Sequence, residues 1–220
     1  MKTIGVILSG CGYLDGAEIR ESVLTLYYLD KHLPDARVRI LAPDLDQLEV
    51  INHVSGEKVS ERRNMLIEAA RIARGKVEDL GAVKHQEFDG VVLPGGAGVA
   101  KNLSTFALRG ASGMVLPEVR NFLEALHASK KPIAGICIAP ALLALVFGKE
   151  GLTCTIGHEQ DTIKEISQTG ARHRLATVDM AVVDEKMKIV TTPAYMFDEA
   201  HLRDIGAGIE NCIKAFARML

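Results

Sequence analysis

The sequence predicts an α/β fold, a largely parallel sheet with helices over both faces. Two observations carry this. Short apolar, β-branched runs alternate with segments of helical periodicity along the whole chain. At 220 residues, with 48% hydrophobic and 25% charged content, the chain has enough apolar material for one full core. No repeat, low-complexity tract or linker interrupts it, so residues 1–220 read as a single domain.

TIGVILS (3–9) is a β-branched run that ends in glycine and reads as the first strand. AEIRESVLTLYYLDKH (17–32) reads as an amphipathic helix, with Ile19, Val23, Leu26 and Tyr27 at helical spacing. RVRILAP (37–43) is a second strand, and 44–60 is polar and loop-like. SERRNMLIEAARIARG (60–75) opens like a capped helix and stops at Gly75. DGVVLPGG (89–96) is a strand running into a glycine-rich turn, and LPEVRNFLEALHASKK (116–131) is a helix. KPIAGICIA reads as a strand, and APALLALVFG as a helix with Pro140 in its first turn, where proline is tolerated. GLTCTIG (151–157) is a further short strand. MAVVDEKMKIVTTP (180–193) has two apolar runs around a polar turn, as a hairpin does, and 197–220 is a C-terminal helix.

The balance of 26 basic and 28 acidic residues offers no basic excess for nucleic acid or an anionic membrane. No apolar run reaches the ~20 residues of a membrane span. The N-terminal run is too short for a typical secretory signal. Cys11, Cys137, Cys154 and Cys212 are scattered, without a CxxC pair, which points to a reduced, cytoplasmic protein.

In a parallel sheet, ligands sit at the carboxyl ends of the strands. Three turns fall on that edge: SGCGYLDGAE, LPGGAG and the turn carrying Cys137. Cys137 therefore stands between a strand and a helix N-terminus, a place that exposes a thiol and lowers its pKa. The plainer alternative is a small buried hydrophobe. A reactive thiol also needs an acid or base and backbone N–H donors. Gly95 and Gly96, with the N–H of Ile138, are candidate donors, although PGG is also an ordinary tight turn. Glu18 opens the first helix, either as a partner of its dipole or as a neutral, desolvated acid donating to the sulfur. His158 follows the next strand and is a candidate proton shuttle. Cys11 reads as pocket lining. A zinc site from Cys11, Cys137 and His158 lacks a short ligand pair, so no metal and no cofactor are expected.

DGAEIRES, VINHVSGE, RRNMLIEAARIARG, VVLPGGAGVAKNLSTFA, GICIAPALL, TIGHEQD and KIVTTPAYM together resemble the ElbB family. This is the "enhancing lycopene biosynthesis" or glyoxalase ElbB group, in the ThiJ/PfpI branch of the class I glutamine amidotransferase-like superfamily. The resemblance spans nearly the whole chain. It implies a flavodoxin-like three-layer sandwich with Cys137 on a nucleophile elbow. It makes Glu18 the hydrogen-bonded acid, and Gly95, Gly96 and Ile138 the oxyanion region. It also implies a homodimer and a weak glutathione-independent glyoxalase, converting glyoxal to glycolate, or a related deglycase acting on small aldehydes. A glutaminase would carry Glu two residues after the histidine, where this chain has Gln160. A redox or stress sensor using the same cysteine is the non-enzymatic alternative.

Overall fold

A computed structural model describes all 220 residues. In chain order the elements are β1 (Thr3–Ile7), α1 (Ile19–His32), β2 (Arg37–Ala42), β3 (Val50–Ile51), β4 (Lys58–Val59), α2 (Met65–Ile72) and β5 (Val77–Asp79). Then come β6 (Gly90–Leu93), α3 (Ala97–Lys101), α4 (Phe106–Arg109), α5 (Pro117–Ala128), β7 (Ile133–Ile136) and α6 (Ala139–Phe147). The chain closes with β8 (Thr153–Cys154), α7 (Gln160–Gln168), β9 (Arg172–His173), β10 (Val182–Asp184), β11 (Ile189–Thr192) and α8 (Leu202–Met219).

Seven strands form the central sheet in the order β10-β11-β7-β6-β1-β2-β5. All neighbours are parallel except the hairpin β10–β11. Strand residues alternate between two apolar layers, as the pleat demands. Ile7, Val91, Leu93 and Ile133 join one layer with α5 and α6; Val6, Val92, Ala134 and Val190 join the other with α8. Helices thus cover both faces of a mostly parallel sheet, the flavodoxin-like sandwich. No helix is long and apolar enough to cross a membrane.

Several sequence expectations change, three of them near the site or in the packing that surrounds it. Thr153–Cys154 is a strand, but it pairs with β9 in a separate two-stranded ribbon, outside the central sheet. The helix expected from Ser60 begins at Met65, where the Asn64 side chain accepts from Ile67 N–H. Most consequentially, α1 presents a different face to the core. Ile19, Val23 and Tyr27 are exposed, while Glu21, Ser22, Thr25 and Leu29 are buried. The inward face of this helix is largely polar because it carries part of the site.

Candidate active site

Four strand ends meet at one edge of the sheet: those of β1, β6, β7 and β11. Cys137 follows β7 immediately, and its backbone N–H donates to Thr192 O at the end of β11 (2.9 Å). Its φ is +61°, in the left-handed region that a non-glycine residue occupies at a cost of about 1–2 kcal/mol. This is a sharp strand-to-helix elbow, and it turns the side chain towards the neighbouring strand ends. The residue is only 7% exposed.

The acid facing the sulfur is Glu21. Its side chain is wholly buried and within hydrogen-bonding reach of Cys137. Gly95 N–H donates to its Oε2 (2.9 Å) and Tyr195 N–H to its Oε1 (3.2 Å). Burial raises the Glu21 carboxyl to about 8, with the nearby charge of Glu18 adding to the rise and the two backbone donors opposing it. At neutral pH the group is therefore protonated and can donate its O–H to the sulfur.

Glu18, the acid expected from sequence, plays a different part. It is the N-cap of α1, its Oε2 accepting from Glu21 N–H at 2.5 Å. It is half-buried and lines the cavity above the thiol, and burial raises its pKa too. Along one turn of helix, then, one carboxyl fixes the backbone of the residue that carries the other.

The expected donors divide. The N–H groups of Gly96 and Ile138 face the Cys137 sulfur, whereas that of Gly95 is spent on Glu21. Gly95 must lack a side chain, since a Cβ there would collide with the Cβ of Cys137 and reach Glu21 Oε2 at 2.6 Å. The thiol differs from expectation as well. Burial, and next the charge of Glu21, push it well above the ordinary cysteine value, and the two N–H donors only partly offset this. The helix dipole does not win, because burial costs the thiolate more than the dipole and the two donors return.

Neither His158 nor Cys11 lines the cavity. His158 is exposed and packs on Phe197, with ring centroids 4.4 Å apart. It follows β8 of the separate ribbon and not a strand of the central sheet, and its ring rests on Phe197 outside the cavity. Cys11 is half-exposed beside Glu68 and Arg71, and burial, then Glu68, raises its thiol.

Sequence reasoning missed Tyr195 altogether. Ala194, with φ +44°, turns the chain sharply after β11 and delivers Tyr195 N–H to Glu21. The Tyr195 hydroxyl accepts from Arg20 Nη1 (2.9 Å), closing one side of the cavity. The cavity measures about 880 Å³, and Cys137 lies on its wall with Glu18, Arg20, Gly96, Ile138 and Tyr195.

A cysteine elbow on a flavodoxin-like sheet, with a buried neutral acid behind the sulfur and two N–H groups beside it, defines a class of thiol-centred α/β sandwiches. The DJ-1/PfpI family model matches residues 14–199, and the chain belongs to that family. "ES1 protein homolog, mitochondrial" of Rattus norvegicus is 43% identical, over 96% of this chain and 81% of its own length. The Homo sapiens "Glutamine amidotransferase-like class 1 domain-containing protein 3, mitochondrial" is 42% identical, over 96% and 82%. An "isoprenoid biosynthesis protein with amidotransferase-like domain" from Ehrlichia chaffeensis has a crystal structure that superposes with a TM-score of 0.91. It is 36% identical, with 100% of this chain and 99% of that one covered. The cytoplasmic placement expected from cysteine usage does not stand, since the rat and human relatives are named mitochondrial. Reduced thiols speak to redox state, not to organelle.

Proposed function

We propose that this chain is an ElbB-type glutathione-independent glyoxalase, acting on small reactive aldehydes through Cys137. The observation that supports it most is the pairing of the Cys137 sulfur with a protonated Glu21 on one side and the N–H groups of Gly96 and Ile138 on the other. Such a seat suits a thiol that adds to a carbonyl and must then stabilise charge on the adduct. The Cys137 S–H adds across one aldehyde of glyoxal, the proton ending on oxygen, to give a hemithioacetal. Glu18, on the cavity wall, takes the proton from that carbon and returns it to its neighbour through an enediol. The result is a thioester of glycolate, which water cleaves to free the acid and restore the thiol. No outside oxidant is needed, because one carbon is oxidised as the other is reduced. Aldehyde adducts on amines or thiols would enter the same sequence, which accommodates a deglycase description. We extend to this chain the mitochondrial placement of its relatives, and a link to isoprenoid biosynthesis that is indirect.

The test is glycolate formation from glyoxal, without glutathione and in a buffer free of amines and thiols. Wild type should form glycolate and Cys137→Ser none, with Glu18→Gln and Glu21→Gln both strongly impaired. A wild-type protein that makes no glycolate above buffer overturns the enzyme reading and leaves the redox role for Cys137.

A further inference from the structure

The cavity is far larger than a two-carbon dialdehyde requires. At about 880 Å³ it has the size of sites that enclose drug-sized ligands. Its walls differ in kind. One begins at the donors beside the sulfur, with Ile138 directly after the nucleophile and Gly96 at the start of α3. It continues through Ala97 and Ala100, whose small side chains leave room, to Phe106, Ala107 and Leu108 on α4. Leu108 is 65% exposed although it forms part of this wall, so a large apolar side chain there has no cover from the protein itself. The charged groups opposite do not converge on a ligand. Asp161, Lys164 and Asp198 are exposed to solvent. Arg20 is engaged with the Tyr195 hydroxyl, and Glu165 accepts from Ala111 N–H (2.7 Å). Glu18, half-buried beside the thiol, caps α1 and is taken up by the proton transfer, so a charged substituent further along the cavity finds no free, desolvated partner, whereas an apolar one finds a continuous wall leading away from the thiol.

We infer that the cavity selects a carbonyl substrate carrying an aliphatic substituent, which lies along α3 and α4 while the carbonyl meets Cys137. Resting on the glyoxalase reading, this makes the preferred substrate a 2-oxoaldehyde with a branched alkyl group. The chemistry is unchanged. The aldehyde carbon joins sulfur and is oxidised to the acid level, its proton moves to the ketone carbon, and water releases the 2-hydroxy acid.

The test compares kcat/KM for methylglyoxal and isobutylglyoxal. Burial is worth about fourfold per methylene, so even partial coverage of the larger group gives a preference of about tenfold or more. Leu108→Ser should reduce that preference at least threefold, whereas a purely structural role would lower both rates alike and leave the ratio intact. A wild-type ratio of one or less overturns the inference, as does an unchanged ratio in Leu108→Ser. Turnover of glyoxal but of neither 2-oxoaldehyde also overturns the inference; if glyoxal itself is not turned over, the glyoxalase reading fails and binding decides. Methyl isobutyl ketone and acetone are titrated against Cys137→Ser by NMR. Saturable binding of the larger ketone, about tenfold tighter than acetone, sustains the inference; equal or absent binding overturns it.

Discussion

Replacing Glu21 with glutamine should make the stability curves of mutant and wild type cross as pH rises. The folded chain holds the Glu21 proton up to about 8, whereas an ordinary glutamate releases it near 4.5. Between those values the native state binds a proton that the unfolded state has lost, so stability falls with increasing pH. At about 1.4 kcal/mol per pH unit, this one group costs the wild type on the order of 5 kcal/mol between pH 4 and 9. Glutamine carries no such penalty but has its own. Both carboxyl oxygens accept a backbone N–H, from Gly95 and Tyr195, and an amide NH₂ cannot accept. One buried N–H is then left unpaired, at about 1–3 kcal/mol. Glu21→Gln should therefore be the less stable protein at pH 5 and the more stable one at pH 9. Urea unfolding at half-unit pH steps measures the difference directly, and groups common to both proteins cancel. Parallel curves would show that Glu21 is ionised in the fold, and the argument for a neutral acid behind the sulfur would collapse.

Alkylation of Cys137 by iodoacetamide should be slow at neutral pH and still rising at pH 9, because burial and Glu21 raise the thiol; a plateau below pH 7 would contradict this. Gly95→Ala should abolish activity and destabilise the fold by about 1–3 kcal/mol or more in thermal unfolding, since its Cβ would strike Cys137. His173 Nε2 accepts from Ile156 N–H (3.1 Å), and burial lowers its pKa. That contribution is present above the ordinary histidine value and lost as pH falls through the lowered one, so amide exchange at Ile156 should accelerate selectively in acid. Glu210 ties α8 to Lys31 and His32 of α1 and is held down to about 2. Its small contribution is present above the ordinary glutamate value and lost as pH falls towards 2, and it should shrink with added salt in denaturant titrations.

Much of the architecture was legible. Alternating apolar runs and helical segments gave the parallel sheet, and the loop residues at three of its strand ends gave the place of the site. The cysteine elbow was visible because a proline-opened helix follows an apolar run with only a few residues between. The acid was not, for a specific reason. Hydrophobic periodicity in α1 favours the face of Ile19, Val23 and Tyr27, and the structure turns that face outward. Glu21, Thr25 and Leu29 lie at successive steps of four on the inward face, a spacing that could have marked Glu21, but a glutamate is a poor candidate for burial. Glu18 stood out instead because acids at helix starts are familiar, and it does serve as the cap. Tyr195 was hidden because its contribution is a backbone N–H, delivered by a left-handed alanine that composition cannot announce. The position of His158 depended on strand pairing, which short runs such as Thr153–Cys154 do not specify.

The left-handed backbone at Cys137 bears on how this gene can change over time. Glycine would adopt that conformation without strain, so the substitution that removes the proposed nucleophile also removes the backbone strain that it carries. A lineage with no use for the thiol has a downhill route to losing it. Wherever descendants of this sequence keep cysteine at the elbow, the strained backbone is kept with it, as expected of a residue retained for its chemistry and not for its fit.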